Sequence, residues 1–336
     1  MTYHVISLLN EGAYLSADAG FLVCQYKNGT THHMPLGDVR AIIAAHPAIS
    51  YSNTCLARLL AQDSVVLHCD RHYKPVGWTV PLDRVIRSTV FEGQLAASPH
   101  FKAQLWDALV MGKMQNQADT LTRLGVEHGL HQLIARPLAS EANVARYYWS
   151  PYFKAIAAEW GKRERKGAAS FENKALNYGY AVVATLVHRA LLVHGLLPTL
   201  GLRHKHRYRS APLVYDAMEP CRVIVDWLLA QWKAQPSVVK QPWASLGEEA
   251  SDALFREWVA FLMQGLREWR LAPQRAGQAE KHTLKWLDAP DKLARGLAKA
   301  FEQGDVSTVW LPCLTETYHH AEGQGLSDDD DEPIDD

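Results

Sequence analysis

The sequence predicts an α+β protein with two domains, a small N-terminal β-sandwich at residues 1–90 and a larger all-α domain at residues 91–322. Three observations predict this division. Before residue 90, short runs rich in β-branched and aromatic residues alternate with turn residues. After residue 90, apolar residues recur with a period of about 3.6. Residues 323–336 are poor in apolar side chains and rich in carboxylates, which predicts a disordered acidic tail.

The first domain is predicted to contain strands at residues 3–9, 13–16, 21–26, 30–35, 41–43, 64–69 and 76–81. Asn28-Gly29 lies between the third and fourth strands. This pair tolerates positive φ at both central positions of a turn, so residues 27–30 are predicted to form a hairpin turn. Residues 52–62 are the one helix expected here, because Leu56, Leu59 and Leu60 share a face.

The second domain is predicted to contain helices at residues 99–124, 139–158, 172–196, 212–234, 246–270 and 283–303, then a short strand at 308–311. Ser98-Pro99 is a typical helix start. Pro220 removes the backbone N–H that would bond the carbonyl of Asp216, so it is predicted to kink the fourth helix.

Charge is distributed unevenly along the chain. The 336 residues contain 35 basic and 36 acidic residues, a net charge of −1. Seven of the carboxylates lie in residues 328–336, so the rest of the chain has 35 basic against 29 acidic residues and a charge of about +6. A basic body is typical of nucleic-acid-binding proteins. The tail either competes with DNA for the basic surface or only aids solubility.

Cysteine spacing and hydropathy limit the class of protein. The five cysteines are widely spread without a C-x-x-C pair, which argues against structural zinc and favours reduced thiols in a cytoplasm. The first residues lack a basic region before an apolar run, so no signal peptide is predicted. The most apolar stretch, residues 180–197, is interrupted by His188, Arg189 and His194, so we expect a buried helix rather than a membrane span.

Three residues are candidate metal ligands. Glu141 stands at a predicted helix start, His204 lies in a basic loop, and Glu219 precedes a proline. Two carboxylates and an imidazole suit Mg²⁺ or Mn²⁺ and leave coordination positions open for water and phosphate. Taken alone, Glu141 could equally interact with the helix dipole, and His206 competes with His204 as the ligand.

A second carboxylate, Asp216, lies three residues before Glu219. Side chains at this spacing share a helix face, and two carboxylates on one face repel each other unless a cation or proton offsets them. An ordinary ion pair of Asp216 with Arg222 is the alternative.

Several motifs together resemble one family. E-A-N-V-A-R-Y-Y-W at residues 141–149, N-K-A-L-N-Y-G-Y-A-V at 173–182, G-L-L-P-T-L-G-L-R-H at 195–204 and L-V-Y-D-A-M-E-P-C-R at 213–222 follow one another in the chain. H-C-D-R-H-Y-K-P-V-G-W at 68–78 and K-M-Q-N-Q at 113–117 precede them. In residue identity, order and spacing these motifs resemble those of the Cas1 family of CRISPR adaptation integrases, and the resemblance runs from about residue 3 to about residue 222. The D-A-M-E-P-C-R wording is most similar to type II members.

The resemblance implies a function and assigns roles to residues. It implies a metal-dependent DNA endonuclease and integrase that inserts spacers into a CRISPR array by attack of a 3′-hydroxyl on a repeat-boundary phosphodiester. It favours His204 over His206 and makes Glu141, His204 and Glu219 the catalytic ligands of Mg²⁺ or Mn²⁺, with Asp216 as an auxiliary acid. Candidate DNA-binding residues are Arg146, Arg163, Arg165, Lys166, Asn177, Tyr178, Lys205, Arg207 and Arg209. For Asn177 and Tyr178 the alternatives are helix capping and core packing, and the basic segment at 163–166 could be a solvated loop without a role.

The resemblance also implies partners. These are double-stranded DNA, a second copy of the chain joined mainly through the N-terminal domain, and a small ferredoxin-like protein of the Cas2 family, with no membrane. The helical domain would then be the catalytic one. Two other functions remain open: a solitary mobile-element integrase with the same chemistry, and a DNA-binding scaffold that retains the motifs without activity.

Overall fold

The computed structural model describes residues 4–9, 12–82, 88–136, 140–158, 161–165, 170–203, 211–236, 238, 245–275, 278–279 and 283–318. Its N-terminal part is rich in strands and the remainder is mainly helical, so the predicted α+β class is confirmed. The last strand of the N-terminal part ends at Thr79, and the next helix begins at Ser88. The residue limits 1–90 and 91–322 stay predictions, and the acidic tail lies outside the described residues.

Among its described residues, the strand-rich region contains eight strands: β1 His4–Leu8, β2 Tyr14–Asp18, β3 Phe21–Gln25, β4 Thr31–Pro35, β5 Val39–Ala44, β6 Ser50–Tyr51, β7 Val65–Cys69 and β8 Pro75–Thr79. They form two four-stranded sheets of order β1-β5-β7-β8 and β4-β3-β2-β6. Alternate residues of both sheets, such as Leu15, Leu22 and Ile42, are buried in one hydrophobic core. Helix α1, Asn53–Ala61, begins at the Ser52 cap and adds Cys55 and Leu59 to this core.

The predicted hairpin turn at residues 27–30 is confirmed, because β3 and β4 pair antiparallel on either side of it, but the expected positive φ at both central residues is not found. Only Gly29 has a positive φ, of +84°. The backbone N–H of Gly29 bonds the carbonyl of Tyr26, and the Tyr26 N–H bonds the carbonyl of Thr30. The Asn28 side chain accepts a bond from the Thr30 N–H at 3.0 Å. A longer connection with one left-handed glycine therefore joins β3 to β4.

The helical part contains α2 Ser88–Ala96, α3 Pro99–Arg123, α4 Leu130–Ile134, α5 Glu141–Ala155, α6 Phe171–Val193, α7 Pro212–Ala217, α8 Arg222–Lys233, α9 Glu248–Glu268 and α10 Ala289–Gln303. The sequence missed α2 and α4. Ser98, Ser140 and Ser170 cap α3, α5 and α6 through their side-chain oxygens. The predicted interruption at Pro220 is confirmed, because a 3-10 turn at Glu219–Cys221 separates α7 from α8.

The prediction of an all-α second domain is wrong. Strands β9 Arg270–Arg275, β10 Gln278–Ala279, β11 Leu284–Lys285 and β12 Trp310–Tyr318 form a third sheet, in which β9 pairs with the other three. The predicted helix at 283–303 therefore begins only at Ala289. Residues 270–285 carry few β-branched side chains, so the strand signal was weak. The predicted short strand at 308–311 corresponds to the start of β12.

Helix α6 passes through the interior of the protein. It is long and apolar enough to span a membrane by composition, but 72% of its apolar window is buried inside the protein. It packs against α8, α9 and α10 and against the first sheet at β5 and β7. Gly179 allows the close approach to α8, since a Cβ there would lie 2.3 Å from a methyl of Val225. This packing is that of a core helix, as the sequence predicted.

Candidate active site

Glu141 is the first residue of α5. The Ser140 side chain accepts a hydrogen bond from the Asn143 N–H at 3.3 Å and so fixes where the helix begins. The side chain of Glu141 is 35% exposed and faces a large cleft. The sequence predicted this helix start correctly. A carboxylate on the first turn also interacts favourably with the helix dipole, so this position is compatible both with a metal ligand and with a purely structural role.

Glu219 lies in the 3-10 turn before α8 and is almost fully buried, with 6% of its side chain exposed. Arg222 binds both of its carboxylate oxygens, at 3.0 and 2.8 Å. Burial alone would raise the pKa of Glu219, but the charges of Arg222 and Lys113 lower the pKa to about 2. Glu219 is therefore an anion across the physiological pH range.

Lys113 on α3 joins the two carboxylates. Its ammonium nitrogen contacts Glu141 Oε1 and lies 2.5 Å from Glu219 Oε2, and only 8% of the side chain is exposed. The oxygens of two acids 78 residues apart in sequence thus converge on one cationic position. Sequence reasoning missed this role of Lys113, although the K-M-Q-N-Q motif that contains it was recognised as part of the family resemblance.

Asn116, from the same motif, fixes α3 against the turn that carries Glu219. Its amide donates to the carbonyl of Pro220 at 3.1 Å and to that of Pro312 at 2.8 Å, and its oxygen accepts from the Leu314 N–H. A fully paired, buried amide at a point where three segments meet holds their backbones in register. Its position three residues after Lys113 was the only sequence signal for this role.

Asp216 does not pair with Arg222. Its carboxylate is fully buried and accepts hydrogen bonds from the backbone N–H groups of Leu202 and Arg203, at 2.7 and 3.3 Å. The alternative of an ion pair with Arg222 is therefore wrong, because Arg222 binds Glu219 instead. Asp216 therefore fixes the start of the basic loop. His204, Lys205, Arg207 and Arg209 lie outside the described residues, as does Lys166.

Arg163 is held in place rather than solvated, which corrects the solvated-loop interpretation for this residue. Its guanidinium donates to Asn173 Oδ1 at 3.0 Å and to Asn177 Oδ1 at 2.6 Å. It also lies 5.5 Å from the ring centroids of both Trp149 and Tyr180. Asn173 and Asn177 thus bind a side chain of their own chain rather than capping the helix.

The other described DNA-binding candidates occupy different environments. Tyr178 is 2% exposed and its hydroxyl bonds Ser7 of β1, so the core-packing alternative describes its position and its hydroxyl is not free to bind DNA. Arg165 is exposed and lines the cleft. Arg146 is exposed on α5 but is not among the residues that line the cleft.

A buried acid, Asp226, lies behind the two glutamates. Tyr148 donates to its carboxylate at 3.0 Å, Tyr180 donates to the other carboxylate oxygen, and Tyr152 donates to its backbone carbonyl at 2.8 Å. Arg222 stacks on the ring of Tyr180, 4.7 Å from its centroid. Burial raises the pKa of Asp226 to about 6, although these hydrogen bonds oppose the shift. The sequence gave no signal for this network, which joins α5, α6 and α8.

The cleft in front of the glutamates has a volume of about 1990 Å³ and is lined by the strand-rich region as well as by the helices. Its basic lining residues outnumber its acidic ones and include Arg71, Lys74, Arg165, Lys174, Arg203 and Arg256. Several aromatic rings, among them Trp106 and Trp149, also face it. A basic, aromatic-lined cleft matches the charge and shape of a nucleic-acid strand.

The described part of the site fits a divalent cation in its chemistry. Two carboxylates present oxygens to a single point, and oxygen donors are those that Mg²⁺ and Mn²⁺ prefer. Within the described residues, no group of three histidine, cysteine, aspartate or glutamate side chains lies close enough to hold a metal. The two glutamates therefore form part of a ligand set that needs a further donor from water, substrate or the basic loop.

Comparison with known proteins gives consistent matches. The family model for CRISPR associated protein Cas1 matches residues 6–241. The chain is 32% identical over 226 residues to CRISPR-associated endonuclease Cas1 of Neisseria meningitidis serogroup C, which covers 65% of this chain and 72% of that protein. Its fold resembles that of a casposase bound to integration product, with a TM-score of 0.72, 15% identity and coverage of 91% and 92%. It also resembles a chain of a Cas6-RT-Cas1–Cas2 complex, with a TM-score of 0.67, 16% identity and coverage of 92% and 36%.

Proposed function

Because the chain belongs to the Cas1 family, we propose that it is a metal-dependent DNA endonuclease and integrase that inserts new spacers into a CRISPR array in the prokaryotic cytoplasm. The reaction is attack of a DNA 3′-hydroxyl on a phosphodiester at the boundary of a repeat. The observation that carries the proposal is the convergence of Glu141 and Glu219 on one cationic position inside a basic cleft.

In this proposal Glu141 and Glu219 hold Mg²⁺ or Mn²⁺, with His204 as a third ligand. A divalent cation held by these residues would supply Lewis-acid polarisation of the scissile phosphate and would stabilise the charge that develops there. Arg222 keeps Glu219 ionised and oriented through two hydrogen bonds. Asp216 acts as an auxiliary residue by fixing the first residues of the loop that leads to His204.

The protein contributes mainly DNA binding and geometry, because the attacking hydroxyl belongs to the DNA. Basic residues at the cleft, including Arg165 and Arg203, neutralise backbone phosphates. Arg163 packs against the rings of Trp149 and Tyr180 and helps to fix the side of the cleft that these residues line. Lys166, Lys205, Arg207 and Arg209, which lie outside the described residues, are the further DNA-binding candidates in this proposal.

We also propose the partners that the family resemblance implies. The N-terminal region forms a β-sandwich domain through which two copies join, and a small ferredoxin-like protein of the Cas2 family completes the complex. Similarity to a chain from a Cas6-RT-Cas1–Cas2 complex supports this assembly. Light scattering tests the first part: a monomer at micromolar concentration would contradict the dimer.

Strand transfer tests the catalytic proposal. Glu141→Gln and Glu219→Gln keep the side-chain size but remove the charge, so each should lower the rate of transfer of a 3′-ended duplex into supercoiled repeat DNA. The expected loss is on the order of 10²-fold or more, the scale of a single electrostatic stabiliser. Exposed Glu127 provides the matched control, Glu127→Gln, which should retain activity.

DNA binding separates a catalytic from a structural effect in the same experiment. Fluorescence anisotropy without divalent cations should give similar affinities for all these variants, because the carboxylates themselves do not bind phosphate. Full activity of Glu219→Gln, or equal rates with and without added Mg²⁺ and Mn²⁺, would refute the proposed chemistry. An inactive wild-type protein that still binds DNA would instead identify a scaffold.

A second candidate is a solitary mobile-element integrase with the same chemistry. Similarity in fold to a casposase bound to integration product favours keeping it. The target DNA distinguishes the two functions. A spacer integrase should insert at repeat boundaries, whereas a mobile-element integrase should insert independently of the CRISPR repeat.

A further inference from the structure

Lys113 competes for the same oxygens that a divalent cation would use. Its ammonium contacts Glu141 Oε1 and Glu219 Oε2, and its side chain is 8% exposed. Within the described residues, these two acids are the only hydrogen-bonding or ionic partners that the ammonium has. Lys113 is therefore a counter-ion dedicated to the acidic pair.

The local charges show why this contact matters. Glu141 and Glu219 contribute two negative charges, while Lys113 and Arg222 contribute two positive charges in contact with them. The cluster is thus neutral before any metal binds. Adding a divalent cation to this partly buried neutral cluster leaves two uncompensated positive charges, which is unfavourable because Lys113 and Glu219 are largely shielded from water. Arg222 is held by two hydrogen bonds and by Tyr180, so Lys113 is the cation that can move away.

A second observation shows where the ammonium can go. Gln117 lies one helical turn after Lys113 on α3, lines the same cleft, and is 5% exposed. Its amide oxygen is buried and has no hydrogen-bond partner in the part of the chain that the structure describes. Residues four apart on a helix are neighbours, so the Lys113 ammonium can reach this oxygen. A buried acceptor without a donor is unfavourable, and a displaced ammonium would satisfy it.

We propose that Lys113 is a displaceable counter-ion: it holds Glu141 and Glu219 together, competes with the catalytic cation, and moves to Gln117 when the cation binds. This inference rests on the proposed metal site and adds a residue that sets the metal affinity. Lys113 is a positioning residue, because it acts through the two carboxylates. Its movement brings a positive charge to a new point in the DNA cleft while the cation is bound.

Metal affinity tests the inference without any DNA reaction. We would titrate the purified full-length protein with Mn²⁺ and measure free Mn²⁺ by electron paramagnetic resonance. Lys113→Gln removes the competing charge, so it should tighten Mn²⁺ binding about tenfold. Lys102→Gln removes a charge from the same helix at a residue that does not line the cleft, and it should leave the affinity unchanged. An unchanged or weaker affinity for Lys113→Gln would overturn the inference.

A double-mutant cycle tests the role of Gln117. Gln117→Leu removes the acceptor, so in the wild-type background it should weaken Mn²⁺ binding severalfold. In the Lys113→Gln background the same change should have no effect, because no ammonium needs the acceptor. Equal effects of Gln117→Leu in both backgrounds would show that Gln117 does not receive Lys113.

Two further variants keep the outcomes separate. If Lys113→Gln does not fold, Lys113→Arg tests the same inference. A guanidinium binds carboxylates with more hydrogen bonds than an ammonium, so the Mn²⁺ affinity should fall. An equal or higher Mn²⁺ affinity in Lys113→Arg would refute the competition. Glu219→Gln tests the proposed site itself. Wild-type Mn²⁺ affinity in Glu219→Gln would reject the metal site, whereas failure of Lys113→Gln alone would reject only the counter-ion.

Discussion

Asp226 gives the sharpest prediction of how stability depends on pH. It is 2% exposed, and its pKa is raised from 3.8 to about 6, mainly by burial. Between these values the folded protein keeps a proton that the unfolded chain has released. The stability contributed by this proton is complete below pH 3.8 and is lost as the pH rises through about 6. A shift of about 2 units corresponds to about 3 kcal/mol.

His188 opposes this effect in the same pH window. It is buried on α6 against the edge of Trp78, with 4.8 Å between ring centroids, and burial lowers its pKa from 6.5 to about 4. The unfolded chain binds the proton first, so the stability contributed by neutral His188 is lost as the pH falls from 6.5 through about 4. This contribution is also about 3 kcal/mol. In the wild-type protein the contributions of Asp226 and His188 largely cancel.

Replacing either residue should reveal the other. In Asp226→Asn, the free energy of unfolding should rise by about 3 kcal/mol more than in the wild-type protein between pH 4 and pH 6.5. In His188→Phe, which keeps an aromatic ring beside Trp78, the free energy of unfolding should instead fall as the pH rises over this range. Urea unfolding at each pH, followed by both tryptophan fluorescence and circular dichroism, measures this free energy.

The prediction concerns the change in the free energy of unfolding with pH, not its absolute value. Asp226→Asn also disturbs the hydrogen bonds from Tyr148 and Tyr180, which lowers stability at every pH. Asp107→Asn, at an exposed position on α3, is the matched control and should follow the wild-type curve. Parallel curves for Asp226→Asn and wild type, within about 1 kcal/mol over this range, would refute the assignment of a raised pKa.

Two further predictions concern packing around α6. Gly179→Ala places a methyl 2.3 Å from Val225, so urea unfolding should show a loss of about 1–3 kcal/mol, whereas Gly77→Ala, with no atom within 4 Å, should be tolerated. Asn173→Ala removes the side chain that holds Arg163 and the neighbouring backbone, so trypsin should cleave after Arg163 faster than in the wild-type protein. Mass spectrometry of the fragments measures this rate, and an unchanged rate would contradict the anchoring role.

Local sequence signals predicted most of the elements. The predicted starts of α1, α3, α5 and α6 agree with the structure to within two residues, and in each case a serine side chain caps the helix, an interaction that depends on neighbouring residues alone. The third sheet was missed because its strands depend on pairing between residues 270–275 and 310–318. Such pairing is decided by distant parts of the chain and leaves little trace in local periodicity.

Site prediction from sequence had a similar limit. The motifs made Glu141 and Glu219 candidates, since each stands in a recognisable stretch, and the structure brings both to Lys113. The role of Lys113 could not be read from its motif, because it depends on how α3 crosses the start of α5 and the turn at residue 219. Asp226 was invisible for the same reason: three tyrosine hydroxyls reach it from two other helices.

One short segment of α3 connects these features. Lys113 contacts both glutamates, Asn116 ties the helix to the backbone of the Glu219 turn and to β12, and Gln117 presents a buried acceptor to the cleft. A helix segment held rigidly by Asn116 can let one long side chain move while the backbone stays fixed. Exchange of Lys113 between the carboxylates and Gln117 would then change the charge in the cleft without moving Glu141 or Glu219. Metal binding and the local DNA-binding charge would thus be coupled through a single side chain.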